Sequence, residues 1–142
     1  MTIDTLKPYL FFNGRADEAI RLYETVFGAK VEDLMRYGEM PAEAGPCAPE
    51  DQERVLHAQL HLESTALMLS DCPTRMPVPA ETNVHLCLEF DDAGEMERKF
   101  DALAGNGQVG MAIHDAFWGG RFGMVVDAVG VHWMFVCRTQ PA

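Results

Sequence analysis

Two short segments with alternating polarity carry most of the side chains that are able to perform chemistry in this sequence. In residues 55–62, His57 and His61 lie on the polar side of an apolar–polar alternation that is typical of a half-buried strand. Residues four apart on a strand are separated by about 13 Å, which is too far for both imidazoles to chelate one metal ion. We therefore interpret both histidines as exposed or cavity-lining side chains, and His57 as a candidate ligand contact.

A second polar row follows in residues 83–90. His85, Cys87 and Glu89 share one side of this segment, and apolar side chains occupy the other side. An imidazole near a carboxylate suits general acid–base catalysis. The alternative is a hydrogen-bonded polar row with no catalytic role. The residues leave both interpretations open, so we assign no catalytic residue.

An aromatic and glycine-rich stretch, Phe117-Trp118-Gly119-Gly120, follows His114 and Asp115. Two aromatic rings beside two glycines suit closure over a flat ligand, with Trp118 as the candidate contact. The alternative is a loop whose aromatic side chains plug one end of the fold.

The composition excludes several classes of function. Among 142 residues, 11 Lys and Arg stand against 22 Asp and Glu, and no basic cluster occurs, so no nucleic-acid partner is expected. No apolar run approaches the ~20 residues that span a bilayer, and no signal-peptide pattern is present, so no membrane partner is expected. Four dispersed cysteines without a CxxC pair predict reduced thiols in a cytoplasmic protein. Phosphate-loop and dinucleotide motifs are absent, so no cofactor is predicted.

The elements that must position these side chains occur twice in the same order. Periodicity predicts a strand, a helix and three strands in residues 5–71, a proline-rich linker at about 72–82, and the same series in about 83–137. The prediction is an α+β fold of two tandem βαβββ modules in a single domain, residues 1–142.

The two modules align at two positions. Tyr23 corresponds to Phe100, and Met68 corresponds to Met134. The two offsets differ because the first module contains a proline- and glycine-rich excursion at 38–54. We expect this excursion to be a mobile loop outside the core.

Three segments resemble the PhnB-like branch of the vicinal oxygen chelate superfamily, which includes glyoxalase I, bleomycin-resistance proteins, fosfomycin-resistance enzymes and extradiol dioxygenases. The segments are PYLFFNGRADEAIRLYETVFGA, LHAQLHLESTALMLSD and AFWGGRFGMVVDAVGVHW. The resemblance implies that the sheets of the two modules curl into a half-barrel around a cavity, and it implies a homodimer. It implies no single reaction, because relatives catalyse several.

The resemblance also places the metal-ligand positions of the superfamily's enzymes at Pro8, Met68, His85 and Met134. Only His85 suits a hard or borderline divalent ion, because proline offers no donor and methionine is soft. A catalytic metal needs about three protein ligands, so no metal is predicted. A shift of register would bring Asp71 or Glu89 nearer to these positions.

Three functions stay open at this point. The favoured one is a small-molecule binding protein of the bleomycin-resistance type, whose ligand is neutral or cationic and partly aromatic or apolar. The second is a metal-dependent lyase, isomerase or dioxygenase that uses His85, and the third is a structural or interaction protein whose cavity is filled by its own side chains. The predicted ligand contacts are His57, Met68, His85, Glu89, Trp118 and Met134.

Overall fold

Each half of the sequence forms one four-stranded mixed sheet and one α-helix. The computed structural model describes residues 2–79 and 81–138, and the chain divides into a first unit, residues 1–79, and a second unit, residues 80–142. Both units have the order βαβββ. The predicted α+β fold of two tandem modules is therefore confirmed, while the half-barrel and the single domain 1–142 stay predictions.

The first unit places its first and last strands side by side. It contains β1 (Tyr9–Phe12), α1 (Ala16–Phe27), β2 (Lys30–Arg36), β3 (Val55–Leu62) and β4 (Thr65–Asp71). The sheet order is β1-β4-β3-β2, with β1 parallel to β4 and the other pairs antiparallel. The strand, helix and three strands predicted within residues 5–71 are all present, and the first strand begins at Tyr9.

Helix α1 packs one apolar stripe against the central strands. Ala19, Ile20 and Tyr23 are buried on the helix, and Leu60 and Leu69 are buried on the strands that it contacts. The i, i+3, i+4 spacing of apolar residues puts these side chains on one face. Each large side chain buried in this way contributes about 1.5–3 kcal/mol to folding.

A buried carboxylate joins this helix to the sheet. Asp71 is 1% exposed. Its Oδ1 accepts hydrogen bonds from the backbone N–H groups of Gly14, at 2.9 Å, and Ala16, at 3.0 Å, and its Oδ2 accepts from Val55 at 3.0 Å. The carboxylate satisfies the N–H of Ala16, the first residue of α1, which the helix itself leaves unpaired, and the N–H of Gly14 just before the helix.

The excursion at 38–54 is more ordered than we predicted. Together with Tyr37 it forms three one-turn 3-10 helices, at Tyr37–Glu39, Ala42–Ala44 and Pro49–Asp51. The carboxylate of Asp51 is buried and accepts hydrogen bonds from the hydroxyl and the backbone N–H of Thr74. Sequence polarity alone could not show that one of the acidic side chains turns inward, because the partner lies 23 residues away.

The second unit repeats the topology with shorter connections. It contains β5 (Leu86–Phe90), α2 (Ala93–Ala104), β6 (Gln108–Asp115), β7 (Arg121–Val126) and β8 (His132–Cys137). The sheet order is β5-β8-β7-β6, and β5 is parallel to β8. The predicted strand at 83–90 begins only at Leu86.

The core of the second unit lies between α2 and its sheet. The ring of Phe100 meets Phe135 edge-on with centroids 5.3 Å apart, and Phe90 stacks on Phe135 at 5.1 Å. Trp133 is a core residue, 1% exposed, and its indole N–H donates to Asp127 Oδ2 at 2.8 Å. Thus Asp127 binds a buried indole, as Asp71 binds the start of a helix in the first unit.

Two acidic side chains near the start of helix α2 have different roles. Asp92 is the N-cap, and its carboxylate accepts from the backbone N–H of Gly94 at 3.0 Å. Glu95 instead forms ion pairs with Arg98 and with Lys99, the latter at 2.9 Å. Among the helices in the described ranges 2–79 and 81–138, none is long and apolar enough to cross a bilayer.

Candidate functional site

In each unit, the sheet face that points away from the helix carries the polar and sulfur-containing side chains. We call it the open face. In the first unit a row across all four strands consists of Tyr9, Met68, Gln59 and Glu32, which are successive partners in the strand register. The corresponding row of the second unit consists of Cys87, Met134, Met124 and Met111. The first row is largely polar, whereas every side chain of the second row contains sulfur.

On the open face of the first unit, two histidines each pair with a different residue. The Tyr9 hydroxyl and His57 Nδ1 are 2.8 Å apart, and Tyr9 also stacks on Phe11 with ring centroids 4.8 Å apart. His61 Nε2 lies 2.8 Å from Glu32 Oε2. Because each imidazole already has its own partner, the two histidines act as separate polar positions, in agreement with the spacing argument.

Tyr9 is a member of this face that the sequence did not identify. Partial burial raises the pKa of its hydroxyl, so Tyr9 is a neutral hydrogen-bonding group at physiological pH. The sequence does place Tyr9 and Phe11 on one side of the strand and Leu10 and Phe12 on the other. A strand of four residues is too short for this alternation to show which side is the open face.

The polar row predicted for residues 83–90 exists in the second unit. Cys87 and Glu89 are exposed on the open face of β5, and the rings of His85 and His132 are stacked with centroids 4.8 Å apart. Glu89 forms an ion pair of 3.5 Å with Arg138. Partial burial of the Cys87 thiol, reinforced by the charge of Glu89, raises its pKa, so the thiol lacks the thiolate character of a catalytic nucleophile.

A cavity of about 360 Å³ lies at the end of the same sheet. Its lining residues are Met111, His114, Asp115, Ala116, Phe117, Trp118 and Phe122. Trp118 is 45% exposed and its ring lies against Gly120, whereas Phe117 is fully exposed. Hydrogen bonds from Ala116 N–H to Gly120 O, 2.7 Å, and from Gly119 N–H to Ala116 O, 3.1 Å, close the stretch into a turn.

The charges at this cavity are partly paired. Arg121 forms an ion pair with Glu97, and its Nε lies 3.4 Å from Asp115 Oδ1. The Asp115 side chain is nevertheless 79% exposed. Of these three charged side chains only Asp115 lines the cavity, so the cavity contains one exposed carboxylate whose charge is partly offset by Arg121.

The predicted ligand contacts are divided between the two units. His57 and Met68 lie on the open face of the first unit, and His85, Glu89 and Met134 lie on that of the second. Trp118 lies at the cavity. Within residues 2–79 and 81–138, no three His, Cys, Asp or Glu side chains are arranged to hold a metal ion.

The superfamily's metal-ligand positions do not suit a hard divalent ion in this chain. Pro8 directly precedes β1, and its carbonyl accepts from Met68 N–H at 3.0 Å. Met68 and Met134 contribute thioethers, so His85 is the one borderline donor among the four positions. A shift of register does not bring in Asp71, because its carboxylate is buried and is used by three backbone N–H groups.

Comparisons with known proteins agree on one fold. A family model described as the Glyoxalase/Bleomycin resistance protein/Dioxygenase superfamily matches residues 5–135. Protein YjdN of Escherichia coli K12 is 34% identical over 146 residues, which cover 96% of this chain and 97% of that protein.

Two solved structures show the same likeness. Protein PA1353 from Pseudomonas aeruginosa is 36% identical, with a TM-score of 0.85, and the match covers 96% of this chain and 100% of that one. A PhnB protein from Bacillus cereus has a TM-score of 0.74 at 23% identity, with coverage of 94% and 99%, and supports the fold alone.

Proposed function

Starting from the fact that this chain belongs to the Glyoxalase/Bleomycin resistance protein/Dioxygenase superfamily, we propose that it binds a small organic cation with an aromatic or apolar part, in the cavity beside Trp118. The observation that carries the proposal is the cavity itself, which combines aromatic walls with the exposed carboxylate of Asp115. Its volume of about 360 Å³ falls in the range of small-molecule sites, about 300–1,000 Å³.

The walls of the cavity favour a flat ligand. Trp118 and Phe122 provide aromatic surfaces, and Met111 provides a polarizable side chain that adapts its shape. Because the Trp118 ring already lies against Gly120, a ligand meets an aromatic surface that is in place before binding. Preorganisation of this kind reduces the entropic cost of association.

The charge of the cavity favours a cation over an anion. Asp115 is exposed at the rim, and one Arg121 guanidinium is shared between Asp115 and Glu97. The net charge of −11 acts in the same direction at long range. A cation above the indole of Trp118 also gains a cation–π interaction of about 0.5–2 kcal/mol.

The experiment is a calorimetric screen of three ligand classes: aromatic cations, uncharged aromatics of the same shape, and organic phosphates. We expect the cations to bind best and Trp118→Ala to weaken their binding by about 1–3 kcal/mol, the scale of one large buried side chain. Asp115→Asn should weaken binding of the cation and leave the affinity for the uncharged analogue unchanged. Val84→Ala, a truncation of an exposed side chain away from the cavity, serves as the control.

Binding restricted to phosphates, or equal affinities in the wild type and Trp118→Ala, would show that the cavity is not the ligand site. Contacts through His57, Met68, His85, Glu89 and Met134, the homodimer and the cytoplasmic location stay predictions. Sedimentation equilibrium and cell fractionation test the last two.

A further inference from the structure

A β-bulge in β6 brings two side chains of that strand to the cavity beside Trp118. Met111 pairs with Met124, and His114 pairs with Phe122. Between these two pairs β6 has two residues where β7 has one, which is the pattern of a bulge. On a regular strand, side chains three positions apart point to opposite faces, and the extra residue of the bulge cancels that alternation. Met111 and His114 therefore both line the cavity.

The residue of β7 opposite the bulge is a glycine, and the packing requires it. A Cβ atom at Gly123 would lie 2.8 Å from Cγ1 of Ile113, which is in the bulge, and 3.0 Å from Cε2 of Phe100 on α2. Both distances are shorter than an ordinary carbon–carbon contact of about 3.5–4.0 Å. The bulge is thus packed against the core of the second unit, and it sets the direction of His114.

A hydrogen bond within the bulge orients the imidazole of His114. Its Nδ1 lies 3.0 Å from the carbonyl oxygen of Ala112. Because a carbonyl oxygen only accepts hydrogen bonds, Nδ1 is the nitrogen that carries the proton. The ring also meets Phe122 edge-on, with centroids 6.1 Å apart and an angle of 87° between the planes. In the neutral imidazole, Nε2 is then an unprotonated hydrogen-bond acceptor.

From this arrangement we infer that His114 selects, among organic cations, those whose charged nitrogen carries an N–H group. The inference rests on the proposed function: Asp115 attracts the positive charge to the cavity, and Nε2 of His114 accepts the hydrogen bond from the cationic nitrogen. The ligand class is a protonated amine, amidine or guanidine attached to an aromatic or apolar group.

A quaternary ammonium ion is the informative competitor. It has the same charge but no N–H, so its methyl groups displace water from Nε2 without replacing the hydrogen bond. Displacing water in this way lowers affinity. A site that is built to accept a hydrogen bond therefore rejects the analogue that cannot donate one.

Calorimetric titration of the full chain with benzylammonium and with benzyltrimethylammonium tests this selection, because the two probes share one ring and one charge. We expect the wild type to bind benzylammonium about 10–100-fold more tightly, the ratio that one hydrogen bond to a charged group provides. His114→Phe keeps an aromatic ring beside Phe122 and removes Nε2, so it should lose most of this preference. A purely steric effect of the three methyl groups would persist in that variant.

Matched variants separate the ring nitrogens from general effects. His114→Gln can place an amide oxygen near the position of Nε2 and should keep part of the preference, whereas the shorter His114→Asn should lose it. His132→Phe is the control, because His132 lies on β8 of the same unit and is not among the lining residues. It should keep the wild-type ratio. Circular dichroism of each variant checks folding.

Nitrogen-15 NMR of the wild type gives a readout that needs no variant. The neutral ring of His114 should show the Nδ1-protonated tautomer, and benzylammonium should shift the Nε2 resonance. The inference is overturned if the Nε2-protonated tautomer is found, or if both cations bind in a Trp118-dependent way with a ratio that His114→Phe leaves unchanged. Failure of both cations to bind, or binding that Trp118→Ala does not weaken, overturns the proposed function as well.

Discussion

The indole ring of Trp118 lies directly over Gly120, so that a Cβ atom at Gly120 would stand 2.1 Å from Cζ3 of the ring and 2.7 Å from the carbonyl oxygen of Cys137. Only glycine allows both approaches. This contact holds the aromatic wall of the cavity against the start of β7. The stretch Phe117-Trp118-Gly119-Gly120 therefore forms a closed turn, although its sequence suggested a segment that closes over a ligand.

Gly120→Ala should therefore expel the Trp118 ring from its position. We expect a loss of about 1–3 kcal/mol in the free energy of unfolding, the usual cost of overpacking, together with a red shift of Trp118 fluorescence. Gly110→Ala is the matched control, because the nearest atoms to its added Cβ, at 3.7 and 3.8 Å, are in ordinary contact. Equal stability of the two variants by urea unfolding would refute the steric argument.

Asp71→Ala should be the most destabilising of the substitutions considered. It removes the acceptor of three backbone N–H groups at a position that is 1% exposed. Hydrogen bonds to charged groups contribute about 1.5–3 kcal/mol each, with incomplete additivity, so we expect a loss of about 3–5 kcal/mol. Asp101→Ala, at an exposed position of α2, should change stability by about 0.5 kcal/mol or less.

The Asp17–Arg36 ion pair should make stability depend on pH in the acid range. Hydrogen bonds from the guanidinium, at 2.9 Å to each carboxylate oxygen, lower the pKa of Asp17. A carboxyl whose pKa is lowered by folding stabilises the fold above its unfolded pKa, about 3.9, and this contribution disappears as pH falls through the lower folded value.

A double-mutant cycle of Asp17→Asn and Arg36→Gln measures that contribution. Both groups are about one third exposed, so the coupling energy at pH 7 should be about 0.2–1 kcal/mol. It should fall as pH drops below the unfolded pKa and disappear once Asp17 is protonated in the folded state. A coupling that grows as pH falls would have the wrong sign for this pair.

The contact between Asp51 and Thr74 should control the mobility of the excursion at 38–54. Hydrogen bonds from Thr74 lower the pKa of Asp51 and hold the end of the excursion against the segment after β4. Thr74→Val should speed proteolysis and hydrogen exchange within 38–54, because it removes the hydroxyl that donates to Asp51. Thr25→Val, at an exposed helical position, is the control, and identical exchange rates in both variants would contradict the anchoring role.

Divalent ions should not bind at the superfamily positions. Two of these positions are methionines and one is Pro8, which leaves His85 as the one donor among the four positions that suits such an ion. Elemental analysis after incubation with nickel, zinc, manganese or iron should find no retained ion. One equivalent per chain that His85→Ala removes would disprove this prediction.

The sequence by itself determined the order of the elements and, for most of them, which face is buried. Helix α1 and the β3–β4 hairpin follow from local periodicity, because apolar spacing decides which side of an element is buried before any partner is specified. The duplication follows from the repeated order of these elements. The replacement of hard metal ligands by methionine follows from residue chemistry once the positions are aligned.

The contacts between distant residues were decided only by the tertiary structure. The Tyr9–His57 pair, the stacked rings of His85 and His132, and the indole of Trp118 over Gly120 depend on strand register or on a turn conformation. A shift of one residue in register moves a whole strand's side chains to the opposite face. Periodicity excludes such a shift, but neither composition nor periodicity distinguishes registers that differ by two residues, because that choice is set by packing across the sheet.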